Sequence, residues 1–120
     1  MVDLHAALAV LDNRPPGETT PAAIIQPAGE NPQGPAAETL RMFCNLLGDL
    51  TGDISFLLMA RGGVYLAGGI LPRITVILVS SRFRERFERK WRGTRVVAGI
   101  PTYLVTHEFA ALLGCAELMK

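Results

Sequence analysis

Gly68-Gly69, the pair Asp49 and Asp53, and His107-Glu108 are the residues of this chain whose types and spacing could do chemistry. A glycine pair at the end of an apolar run lets the backbone approach a flat or charged ligand, because no Cβ stands in the way and positive φ is open. The stretch Gly62–Arg73 reads as loop, short buried strand, glycine turn and helix start. Taken alone, its glycine pair reads first as a plain turn. Asp49 and Asp53 stand four residues apart on a helical run, which would put two carboxylates on one face. Acid–base work could use such a pair, but a solvated helix surface accounts for it more simply. His107-Glu108 follows a strand-type run, where α/β folds place ligands. A single histidine at a strand end also serves structure. Cys44 and Cys115 are far apart, and His5 and His107 are isolated, so no zinc spacing is present. Both cysteines read as buried, reduced core residues. The chain has no phosphate-loop, Gly-x-Ser-x-Gly or His-Glu-x-x-His motif.

The elements that must position these residues follow from periodicity. Val2, Leu4, Ala7, Leu8 and Leu11 form a helical stripe that Pro15-Pro16 stops. An apolar helix at the very start predicts that the natural chain begins earlier. Residues 14–35, rich in Pro and Gly, read as a surface loop with one helical turn at Pro21–Ile25. From Ala36 a long helix is predicted, with Pro35 in its first turn. Leu40, Phe43, Cys44, Leu47, Leu50, Ile54, Leu57 and Leu58 form its apolar face. Gly48 and Gly52 within it predict close backbone approach or a kink, and Arg61-Gly62-Gly63 is its stop. Val64–Ala67 and Thr102–Thr106 read as buried strands, and Phe109, Leu112, Leu113 and Ala116 as a closing helix. Ile74–Val79 is β-branched and fits strand as well as helix. Residues 81–92 read as one basic amphipathic helix, with Phe83, Phe87 and Trp91 on one face and Glu85–Arg89 and Glu88–Arg92 pairs outside. Its arginines with interleaved aromatics raise nucleic-acid binding, which a solvated face explains better. Two strands with a helical crossover imply a parallel pair in an α/β layer.

Composition adds bounds. With 120 residues, 49% hydrophobic residues and a mean hydropathy of +0.28, the chain is one domain or part of one, with apolar surface to spare for a partner. A net charge of +1 gives no overall pull toward nucleic acid or membrane. The longest apolar runs, Phe56–Ala60 and Ile74–Val79, are too short to span a bilayer. The N-terminus lacks a basic region before its apolar stretch, so the expectation is a cytoplasmic protein without a signal peptide.

Several pieces, in order and in register, resemble the C-terminal portion of bacterial ATP-dependent glucokinases. They are Asp12-Asn13-Arg14, Leu40–Cys44, Gly63–Arg73, Phe83 with Phe87 and Lys90, Ile100–His107, and Leu112-Leu113-Gly114. Arg61–Arg73 is similar to the adenosine motif of the sugar-kinase, actin-like ATPase superfamily. The resemblance implies the C-terminal part of an actin-like ATPase (RNase H-like) domain, with helices packed on a short, mainly parallel sheet. Residues 14–35 would be a surface loop and 36–120 the core that carries the motif. It implies a helix at Ile70–Val79, and one wall of a nucleotide site at Ala67, Gly68, Gly69 and Ile70. ATP or ADP, with Mg2+, would be the nucleotide, a homodimer or pairing with the rest of the kinase the assembly, and neither nucleic acid nor membrane a partner. The family's Asp-x-Gly-Gly-Thr-Asn phosphate loop, its aspartate base for the glucose 6-hydroxyl and its sugar-holding Glu/His group have no counterpart here. These 120 residues alone are therefore expected to be inactive. A non-catalytic nucleotide-binding or assembly module on the same fold is the alternative.

Overall fold

In a computed structural model, which describes residues 1–15, 17 and 20–119, the chain is a run of helices broken twice by short strands. The order is α1 (Val2–Leu11), α2 (Pro21–Glu30), α3 (Pro35–Leu58), β1 (Val64–Leu66) and a 3-10 turn at Leu71–Ile74. Then come α4 (Thr75–Ser80), α5 (Phe83–Glu88), a second 3-10 turn at Trp91–Gly93, α6 (Thr94–Ala98), β2 (Thr102–Leu104) and α7 (Ala110–Leu118). β1 and β2 pair in parallel, Val64 opposite Thr102 and Leu66 opposite Leu104. The ladder is extended at both ends, where Val64 N–H donates to the Pro101 carbonyl and Val105 N–H to the Leu66 carbonyl, each at 2.9 Å. The expected α/β layer is thus present, but β2 is shorter than the run Thr102–Thr106 and the strands are not buried as expected: Leu66 is buried, while Tyr65 and Tyr103 are exposed. The molecule measures 47 × 42 × 20 Å, a slab about two packed layers deep.

Helix α3 organises the core. Leu40 and Cys44 are fully buried against Ile24, Phe87, Val97 and Ile100. Gly48 and Gly52 serve the close approach read from the sequence. A Cβ on Gly48 would fall far inside 3.0 Å of the Phe83 carbonyl oxygen, and one on Gly52 would do the same at Phe87. The backbone of α5 therefore lies directly in this glycine groove. Two ion pairs flank it, Arg86–Asp49 at 3.2 Å and Lys90–Asp53 at 2.8 Å, and Lys90 Nζ also donates to the Asp49 carbonyl at 2.8 Å.

The expected face of α3 holds in its first half, where Leu40 and Cys44 are buried and Phe43 and Leu47 pack against the core, and fails in its second. Leu50, Ile54, Leu57 and Leu58 are exposed, while Ala37, Thr39 and Ser55 are buried. The helix has two apolar stripes, and the chain covers the one rich in small residues, because only that side admits α5 at backbone distance. The stop differs too: Met59, at φ 49°, takes the left-handed position, and the glycines follow it.

Where a surface loop was expected, α2 forms over ten residues. Thr20 Oγ1 accepts the Ala23 N–H, Pro21 sits in the first turn, and Ile24 and Ala28, one helical turn apart, bury against α3. That burial offsets the bond lost at Pro27 inside the helix. Helix α1 buries His5 and Ala9 and leaves Leu11 exposed. Thr39 Oγ1 donates to the Pro35 carbonyl at 2.9 Å, so His5 Nδ1 must be the donor in its 2.7 Å bond to Thr39 Oγ1. Pro15 follows the end of α1, and Pro16 lies outside the described residues.

The region Ile70–Val79 is helical, as the resemblance implied, and not a strand. The expected single basic helix at 81–92 breaks after Glu88. Phe83 and Phe87 are buried as expected, whereas Trp91 is 86% exposed, at φ 48°. The Lys90 bonds to α3 and a Lys90 N–H bond to Thr94 Oγ1 draw the chain out of the helical path before Trp91. The outer ion pairs are consequently Arg82–Glu85 and Arg84–Glu88, not Glu85–Arg89 and Glu88–Arg92. Cys115 is exposed on α7, as are Leu112 and Leu113, so the closing helix forms without a buried face.

Candidate nucleotide site at the strand ends

Both strands end at one cavity. Leu66 leads into Ala67, Gly68 and Gly69, and Leu104 leads into Val105, Thr106, His107 and Glu108. The cavity, of about 340 Å³, is lined by Ala67, Gly68, Gly69, Pro72, Arg73 and Val105. His107, Glu108 and the start of α7 complete it. Its place outside the carboxyl ends of parallel strands is where open α/β sheets hold ligands.

The glycines of this chain separate by what surrounds them. Gly48 and Gly52 are required by internal packing, since a Cβ at either would come under 3.0 Å from backbone, and one at Gly34, Gly63 or Gly93 would crowd the side chain of Asn31, Tyr103 or Phe56. Gly68 and Gly69 face open space, with nothing within 4 Å of an added Cβ. Gly68 has φ +128°, a conformation that requires glycine, which accounts for that residue as a turn. Gly69 has neither a positive φ nor a packing requirement in this chain. Gly29, Gly62 and Gly114 are open in the same way, but none of them lines this cavity.

Of the four residues expected to form the wall, Ala67, Gly68 and Gly69 line the cavity together. Ile70 does not line it and, half-buried, packs against the hydrophobic core behind the glycine turn. His107 Nδ1 accepts the Phe109 N–H at 3.1 Å, which leaves Nε2 as the protonated nitrogen of the neutral ring. Asp49 and Asp53 lie away from this cavity, each paired to a cation of the α5 region, so they act as a clamp and not as an acid–base pair. Arg73, the last residue of the stretch that resembles the adenosine motif, also lines the cavity, a role the sequence reading did not give it. No group of three or more His, Cys, Asp or Glu side chains suited to a metal ion exists among the described residues, and Glu108 is the cavity's one carboxylate.

A second cavity, of about 360 Å³, adjoins the first and shares Pro72 and Arg73 with it. Ile25, Ala28, Gly29 and Pro32 from the α2 region form one side, and Ile74 and Ile77 lie across from them. Reading 14–35 as loop concealed this side. The i,i+4 spacing of Ile24 and Ala28 behind Thr20-Pro21 was the available signal.

A glycine turn at the end of one parallel strand, a helical crossover and a strand-end cavity are features of a ligand-holding α/β fold, and the match that follows makes it part of an α/β kinase domain. The chain superposes on a crystal structure of glucokinase from an Antarctic psychrotroph with a TM-score of 0.87 and 32% identity, over 98% of this chain and 36% of that one. The glucokinase family model matches residues 1–120, and the chain belongs to the glucokinase family. It is 38% identical over 120 residues to the glucokinase of Hahella chejuensis, spanning 37% of that protein. It is 44% identical over 116 residues to the glucokinase of Caulobacter vibrioides, spanning 35% of it. The chain thus spans little more than a third of the length of the curated relatives it matches. Among the described residues no helix is long and apolar enough to cross a membrane.

Proposed function

We propose that this chain supplies one wall of the nucleotide site of an ATP-dependent kinase that converts glucose to glucose 6-phosphate. Ala67, Gly68 and Gly69 are its contact surface, and Ile70 fixes the turn. The observation that carries this reading is Gly69. Nothing within the chain calls for glycine there, its Cβ position is open, and it lines the cavity at the strand ends. A glycine kept bare toward a cavity suits a backbone that must lie against a ligand.

Phosphoryl transfer also needs an oriented sugar hydroxyl and a base beside it. The carboxylates at Asp49 and Asp53 are held by Arg86 and Lys90. Mg2+ would arrive on the phosphates of ATP, since the cavity's own side chains do not form a metal site. The 120 residues by themselves are therefore expected to bind nucleotide without turning over glucose. Equilibrium dialysis with ADP tests the first half: binding that Gly69→Val abolishes, with the far-UV spectrum unchanged, supports the wall. Absence of ADP binding by the unaltered chain defeats it. Sustained ADP release in the presence of glucose would overturn the second half.

The resemblance also carries assembly as a proposal. The exposed stripe Leu46, Leu50, Ile54 and Leu57 on α3 supports it, because solvent-facing apolar residues at helical spacing mark an interface. Light scattering that finds only monomer at every concentration would count against pairing between copies.

A further inference from the structure

We infer that Arg73 is the residue that reads the phosphate charge of the ligand in this cavity. The inference rests on the nucleotide-wall reading and adds a charge-specific contact to it.

Arg73 sits on the 3-10 turn directly after the glycines. Leu71 and Ile74 on either side of it are buried, at 7% and 3% exposure, and the Arg73 N–H donates to the Ile70 carbonyl at 3.0 Å. The turn is therefore fixed at both ends while its arginine faces outward. Arg73 lines both cavities and stands where they meet.

Its charge is unspent. Arg82, Arg84, Arg86 and Lys90 are each paired with a carboxylate. Arg41, which lines the second cavity, donates to the Pro32 carbonyl at 2.7 Å. Among the described residues Arg73 has no ion pair and no side-chain hydrogen bond. Glu108, in the same cavity, does not come within ion-pair distance of it. A guanidinium stays charged at any physiological pH, and its planar fork matches the oxygens of a phosphate bidentately. The cavity that offers bare glycine backbone to a ligand thus has, among the described residues, a single free cation at its rim. That arrangement suits a phosphorylated nucleoside better than the nucleoside alone.

The test is binding of ADP and of adenosine to the full chain, followed by calorimetry and by amide chemical shifts. The chains compared are the unaltered one, Arg73→Lys and Arg73→Gln. Arg73→Gln is expected to weaken ADP by roughly tenfold or more, as loss of a charge-assisted contact does. Adenosine should change by less than about twofold, and Arg73→Lys should recover part of the ADP affinity. Raising the salt should weaken ADP in the unaltered chain and not in Arg73→Gln. Equal ADP affinity in Arg73→Gln overturns the inference and leaves the wall intact. Parallel loss of ADP and adenosine overturns it in favour of a structural role. If the unaltered chain binds neither, the wall itself falls, and the inference with it.

Discussion

Gly48→Ala and Gly52→Ala should each destabilise the chain, although alanine is the better helix former. In the interior of α3 each substitution gains about 1 kcal/mol of helix propensity. Against that, each new methyl meets the backbone of α5, the carbonyl of Phe83 in one case and of Phe87 in the other. Backbone cannot rotate away as a side-chain tip can, so α5 must withdraw by about 1 Å to restore van der Waals distance. Overpacking of this kind costs roughly 1–3 kcal/mol. Here it also loosens Phe87, which is fully buried, and stretches the Asp49–Arg86 pair. The cost belongs at the top of that range, and the net loss is about 1–2 kcal/mol for each variant. The double variant should lose less than the sum, because one withdrawal of α5 accommodates both methyls. Gly114→Ala, in α7 with nothing within 4 Å of the new Cβ, is the control and should be neutral to stabilising by up to about 1 kcal/mol. Urea unfolding followed by circular dichroism, at constant m, reads all four midpoints. If Gly48→Ala and Gly52→Ala stabilise as Gly114→Ala does, α5 does not lie in the glycine groove and the reasoning fails.

Other outcomes follow from buried polar groups and from the cavity. Thr39→Val keeps the volume but removes the acceptor of His5 Nδ1–H, and should cost about 1–3 kcal/mol in the same unfolding assay; an unchanged midpoint would show that the bond contributes nothing. Burial pushes the Cys44 thiol up to about 11 from its ordinary 9.0, with the Ser81 hydroxyl opposing in part. The folded state then keeps a proton that the unfolded state loses. Stability on this account is full below about pH 9 and falls by on the order of 1 kcal/mol per pH unit up to about pH 11, a slope that Cys44→Ala should remove. At neutral pH a thiol reagent should label Cys115 in the native chain and Cys44 only after unfolding, and equal rates would contradict the burial. Gly69→Ala should leave the unfolding midpoint within about 0.5 kcal/mol, since its Cβ position is open and its φ ordinary.

The sequence made some of this legible and hid the rest for physical reasons. The parallel strand pair, the long helix from Pro35 and the purpose of Gly48 and Gly52 were readable, because each leaves a local signature. The choice of buried face on α3 was not. A helix with Leu46, Leu50, Ile54 and Leu57 on one side and Leu40, Cys44, Gly48 and Gly52 on another looks like one broad apolar helix, and periodicity cannot say which side this chain covers. The break before Trp91 was equally hidden. Phe83, Phe87 and Trp91 keep helical spacing to the end, and only the distant bonds of Lys90 to α3 overrule it. Helix α2 was masked by its own prolines and glycine, which outweighed a cap and two buried apolar residues. At the candidate site, Gly68 and Gly69 stood out by type. The position of Arg73 between two cavities depends on α2 and on the start of α7, and so required the fold.

The nucleotide wall is tested most directly by titrating ADP into the isotope-labelled chain and following the backbone amides. The account predicts shifts concentrated at Ala67, Gly68, Gly69 and Arg73, and at His107 across the cavity, all absent in Gly69→Val. Shifts centred elsewhere, for instance on Arg89–Arg95, or none at all in the unaltered chain, would contradict it.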